Sequence, residues 1–180
     1  MMKKILSLLA VFLFSLSAYA EELSYSEVIQ VDGKNKTEIY NGIKQWVALN
    51  FRNANAVIQM DDPGQCMLIA KGNFEYEYGN FTMAAYTGWV NFTLKFQAKD
   101  GRFKVTMTDF IHENKKGNAK DCSLGYITND EKSGKGGINK AGHDKAWKDV
   151  KQKCRTNFDG IVKSLKSFKG YNGIDEDDDW

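Results

Sequence analysis

The feature that most constrains this chain is a strict two-residue alternation through Val90, Phe92, Leu94 and Phe96, resumed after Asp100-Gly101 at Phe103, Val105 and Met107. Successive side chains of a strand point to opposite faces, so each segment has one apolar and one polar side. Asp-Gly between them supplies the positive-φ residue that a tight hairpin favours. Upstream, Leu68, Ala70, Gly72, Phe74, Tyr76 and Tyr78 share one face while Lys71, Asn73, Glu75 and Glu77 share the other. The pattern predicts an antiparallel meander with a single apolar face, to which Ile111 also contributes. Such a sheet must have its apolar side covered, and helices are the available cover.

Two segments supply that cover. From Lys36 onward, Ile39, Ile43, Trp46, Val47 and Phe51 fall on one stripe of a 3.6-residue period, and Trp147, Val150, Cys154, Phe158, Ile161, Leu165 and Phe168 do the same later. Tyr25 to Val31, ending at Asp32-Gly33, reads as a first strand, and Ala56 to Met60 as a short one before the turn chemistry of Asp61-Asp62-Pro63-Gly64. The expectation is an α+β domain: a five-stranded, largely antiparallel sheet with two helices on one face, in the order β-α-β-β-β-β-α.

Residues 1–20 read as a signal peptide. Met1-Met2-Lys3-Lys4 is a basic start, Ile5 to Leu16 is apolar and uncharged, and Ala18-Tyr19-Ala20 offers small residues for cleavage after Ala20. The apolar run is too short for a membrane span, which needs ~20 residues. The remaining organisation is a strand-helix-four-strand body over 21–113, a Gly-, Lys- and Asn-rich flexible loop over 114–140, a helix over 141–169 packing on the body, and an acidic disordered tail over 170–180. Without Lys3 and Lys4, the 25 basic residues fall to 23, equal to the 23 acidic ones. That balance disfavours a general polyanion binder, nucleic acid included.

Catalytic constellations are missing from the sequence. His112 and His143 are the only histidines, His112-Glu113 is not followed by a second His at metalloprotease spacing, and there is no Gly-x-Ser-x-Gly. Both histidines read as exposed or half-exposed structural residues, and no catalytic residue, metal site or cofactor is expected. Cys66, Cys122 and Cys154 in an exported chain leave two readings open: a Cys122–Cys154 bridge, or three reduced thiols. The feature with binding chemistry is the polar outer face of the sheet. There, Trp89, Lys95, Arg102 and Lys104 interleave an aromatic ring with cations and form the candidate ligand-binding set.

The stretch from Val28 to Glu113 resembles a known family. Val28-Ile29-Gln30-Val31-Asp32-Gly33, the helix around Ile43-Lys44-Gln45-Trp46-Val47, and above all Lys99-Asp100-Gly101-Arg102-Phe103-Lys104-Val105-Thr106-Met107-Thr108-Asp109-Phe110 look like the exported Bacteroidetes domain of unknown function with a TBP-like fold. The resemblance implies that fold and carries no reaction, no functional residue and no DNA binding. With the export signal, it points to a periplasmic or secreted, non-catalytic binding or accessory domain of the bacterial cell envelope, whose partner is an envelope protein or glycan. The alternatives are an envelope hydrolase with dispersed carboxylates and a structural surface component.

Overall fold

The computed structural model describes residues 21–79, 81–115, 122–134 and 140–172. Residues 1–20, read as a signal peptide, and the acidic stretch from 173 onward lie outside the described residues. The elements are β1 (Tyr25–Gln30), α1 (Lys36–Asn50), α2 (Ala54–Val57), β2 (Ile58–Asp62), β3 (Met67–Tyr76), β4 (Gly88–Lys99), β5 (Arg102–Asn114), β6 (Gly125–Tyr126) and α3 (Lys140–Ser167), with short 3₁₀ turns at Phe81–Tyr86 and Gly170–Asn172. All strand pairs are antiparallel, in the order β1-β5-β4-β3-β2 with β6 added to β5. The domain is thus α+β, with a sixth strand beyond the five that the alternation predicts.

The central hairpin follows its sequence closely. Lys99 pairs with Arg102 across Asp100-Gly101, and Gly101 takes a φ of 74°, open to glycine and costly for other residues. Val90, Phe92, Leu94, Phe96 and Ala98 on β4 and Phe103, Val105 and Met107 on β5 are buried on the inner face. Helix α1 lies over them with Ile39, Tyr40, Ile43, Trp46 and Val47 inward. Its start is set by a capping box: Thr37 and Glu38 N–H groups donate to Asn35 Oδ1 at 2.9 and 3.0 Å, and Asn35 N–H donates to Glu38 Oε2 at 2.8 Å. The Lys36 N–H donates to Asp100 Oδ1 at 2.7 Å, which ties the hairpin tip to the helix start. Helix α3 covers the rest with His143, Ala146, Trp147, Val150, Cys154, Phe158, Val162 and Leu165, while Ile161 is half-buried.

Three expectations are corrected. First, Ile111 does not point inward. Opposite Phe92, β5 carries two residues, Asp109 and Phe110, and Asp109 takes a φ of 54°. This β-bulge shifts the alternation by one residue, so Phe110 and His112 turn into the core and Ile111 turns out. Second, the stretch expected to be a flexible loop is packed over its described part 122–134: β6 pairs with β5, and Cys122, Leu124 and Ile127 are buried. Third, the C-terminal stretch begins with order, because Tyr171 is buried against α1, where a Cβ on Gly42 would stand 2.4 Å from Tyr171 Cδ1. The cysteines resolve toward the second reading, since all three are buried and none is in a disulfide. Burial pushes the Cys154 thiol up to about 12. Native protein is expected to show no thiol available to a labelling reagent such as Ellman's, and denatured protein three; rapid labelling in the native state would contradict this packing.

The bulge has its own expectation. A non-glycine residue held in the left-handed region costs about 1–3 kcal/mol, least for Asp and most for a β-branched residue. Asp109→Gly should therefore leave the urea midpoint unchanged or higher, and Asp109→Val should lower stability by about 2 kcal/mol. Equal midpoints for the two variants would mean that the left-handed backbone is not required.

Candidate functional site

Because α1 and α3 both lie on the inner face, the outer face of β1, β5, β4 and β3 carries no helix among the described residues. All four candidate residues lie on it, but not as one cluster. Lys95 stands between Thr106 and Ile69, Lys104 between Gln97 and Val28, and Arg102 between Lys99 and Gln30. Cross-strand and diagonal neighbours on one face are ~5–8 Å apart, so Lys95, Lys99, Arg102 and Lys104 form one basic corner at the hairpin end. None of these four cations has an ion-pair partner among the described residues. A hollow of about 340 Å³ lies beside them, bounded by Val28, Gln97, Lys99, Arg102, Phe103 and Lys104. Val28 is 49% exposed there, an apolar patch among the cations.

Trp89 sits six residues from Lys95 along β4, ~20 Å away at 3.3 Å per residue. It is 44% exposed and flanked across the strands by Glu75 and Glu113. Glu75 accepts from Lys115 Nζ at 2.6 Å, and Glu113 accepts from Asn91 Nδ2 at 3.4 Å. Between the two ends runs a groove of about 790 Å³, whose outer-face lining includes Lys71, Asn73, Asn91, Thr93, Asp109 and Tyr126. Tyr126 is 59% exposed. Sequence reasoning missed Tyr126, because two residues of strand in a polar stretch carry no periodicity. It also missed Asp109 and Ile111, though a signal existed: after Met107 the next large apolar residue is Phe110, three positions on, which breaks the two-residue period.

The histidines are both buried, which corrects the expectation of exposure. His112 is built into the core by backbone partners. Its Nδ1 accepts from Leu124 N–H at 3.0 Å, so Nε2 carries the proton and donates to Tyr86 C=O at 2.8 Å. The Tyr76 ring packs edge-on against it, centroids 5.2 Å apart. Tyr86 Oη lies 3.0 Å from His143 Nδ1, which joins the turn before β4 to the first turns of α3. Burial raises the Tyr76 phenol, with the nearby Asp149 carboxylate adding to the shift. This arrangement ties elements together. Among the described residues, no group of three or more His, Cys, Asp or Glu side chains could hold a metal. His112→Phe keeps the ring volume but leaves Leu124 N–H and Tyr86 C=O without this partner; a loss of about 2–4 kcal/mol is expected in urea unfolding, and a loss below 1 kcal/mol would refute the role.

Residues 25–113 match the family described as a domain of unknown function (DUF4468) with TBP-like fold. A TBP-like protein from Parabacteroides distasonis has a similar structure, with a TM-score of 0.58 at 12% identity over 82% of this chain and 95% of its own. A DUF4468 family protein from Bacteroides ovatus aligns at a TM-score of 0.46 and 16% identity over 81% of this chain and 87% of its own. No curated protein matches. The likeness to the Parabacteroides protein establishes the fold. No helix among the described residues is long and apolar enough to cross a membrane.

Proposed function

We propose that this chain is an exported, non-catalytic accessory domain of the bacterial cell envelope that binds an envelope protein or glycan on the outer face of its sheet. One observation carries the reading. A rigid sheet face left bare by both helices presents exposed Tyr126 and Trp89 rings at one end and, at the other, four cations without ion-pair partners among the described residues. Aromatic rings on a rigid strand lose little entropy on contact, and exposed cations can meet carboxylate or phosphate groups. The basic start, apolar run and Ala-Tyr-Ala of residues 1–20 support export.

A hydrolase reading would need two acids converging in a pocket. Glu75 and Glu113 instead stand on either side of the Trp89 ring, and Glu75 is held by Lys115. The separation of the two ends shapes the test. Crosslinking in the native host, followed by identification of captured material, is to be run on wild type, on Trp89→Ala with Tyr126→Ala, and on Lys95→Ala with Arg102→Ala and Lys104→Ala. Loss of capture in at least one variant, with the melting temperature retained, is expected. Capture that survives both sets would show the outer face to be solvated surface.

A further inference from the structure

One cavity of the molecule lies apart from the outer face. It is an open cleft of about 550 Å³ between α1 and α3, on the inner side of the sheet, floored by Phe74 of β3 and Phe92 of β4. Those two rings stand 6.2 Å apart with their planes 32° from parallel, so they form one shallow aromatic surface. A glycine sets the floor low: a Cβ at Gly72 would lie 2.5 Å from Phe92 Cζ and 2.9 Å from Phe51 Cε1. Trp46 closes the α1 side. Its indole N–H donates to Ser164 Oγ at 2.9 Å, so the ring is anchored between the two helices with its polar atom satisfied.

The α3 wall presents Asn157, Gly160 and Ser164 at steps of three and four: an amide, a gap and a hydroxyl. Gly160 lies inside the 28-residue helix, where glycine is a poor helix former, and no neighbour comes within 4 Å of a Cβ built on it. Packing does not require this glycine; its effect is to hold space open. Asn157 is half-buried, yet its amide has no hydrogen-bond partner among the described residues. Across the cleft, Asn50 Nδ2 donates to Trp46 C=O at 2.8 Å, which leaves Asn50 Oδ1 to accept from a ligand.

We infer that this cleft takes one neutral sugar ring of a glycan, at a site independent of the outer face. The chemistry of floor and rim selects that occupant. The face of an aromatic ring is negative and attracts the weakly positive C–H groups on one side of a pyranose. Amides and hydroxyls at the rim both donate and accept, as sugar hydroxyls do. A phosphate or carboxylate is held best by several cations, and the lining offers Lys153 alone, beside a Glu75 carboxylate already paired with Lys115 at 2.6 Å. An acyl chain would cover the floor but strip water from Asn50 and Asn157 without replacing its hydrogen bonds. The volume lies within the range of small-molecule sites.

Titration of the full chain with maltotriose, cellotriose and chitotriose, followed by NMR, tests the proposal. At about 10 mM sugar, above the millimolar dissociation constants of weak ligands, at least one trisaccharide should shift the indole N–H signal of Trp46 and the side-chain amide of Asn157. Gly160→Leu fills the gap and should abolish the shifts, whereas Gly160→Ala should keep the fold and raise the melting temperature. Asn157→Ala should weaken binding roughly tenfold, and it decides the matter if Gly160→Leu does not fold. Trp89→Ala with Tyr126→Ala removes the aromatic end of the outer face and should leave the Trp46 shift unchanged, so failure of the cleft and failure of the outer face are distinguishable. No shift with any of the three sugars overturns the proposal. So does binding indifferent to Gly160→Leu and Asn157→Ala, or a cleft that prefers myristate to sugar or is already filled by another segment of the chain.

Discussion

The upper half of the molecule hangs on the bulge at Asp109. An extra residue in one strand leaves backbone groups without ladder partners, and those groups must be satisfied elsewhere. Asp109 N–H donates to Glu22 Oε1 at 3.0 Å, and Phe110 C=O accepts from Ile127 N–H at 2.9 Å. The bulge thereby binds two segments with little structure of their own, the one before β1 and the one holding β6. Each is fixed further by the other, through the Glu22–Thr128 bridge and Asn129 N–H donating to Glu21 C=O at 2.8 Å. The same one-residue shift turns His112 inward, where Leu124 N–H and Tyr86 C=O hold it. His112 is thus a brace between β5, the turn before β4 and the β6 segment.

Below the bulge the sheet is regular and its two faces have separate work. Inward side chains of β4 and β5 meet α1 and α3, and the burial of that apolar area is the main stabilising term of a domain this size. The outer face carries none of that burden, so its residues are free to answer to a partner. Trp89 and Tyr126 are large apolar groups left in water, and the basic corner at Arg102 and Lys104 lies at the opposite end. A ligand touching both ends would have to span ~30 Å of sheet, since Lys104 and Arg102 pair with Gln97 and Lys99 on β4. That length suits an extended polymer or a protein surface better than a small molecule.

Much of this architecture is legible in the residues themselves. Two-residue periods in β3, β4 and β5, a 3.6-residue period in α1 and α3, and Asp100-Gly101 determined the strands, the helices and the apolar face, because each depends on contacts between near neighbours in the chain. The outward placement of Trp89, Lys95, Arg102 and Lys104 follows from the same parity. Tertiary structure alone decided the rest. That β1 pairs with β5, that β2 stops opposite Ala70, and that Trp89 lies far from the cations are matters of long-range register, which local pattern does not encode. The bulge at Asp109 and the burial of Leu124 and Ile127 have the same origin. A left-handed residue and a two-residue strand gain their stability from partners distant in sequence, Glu22 for the one and β5 for the other, so only the folded chain brings them into being.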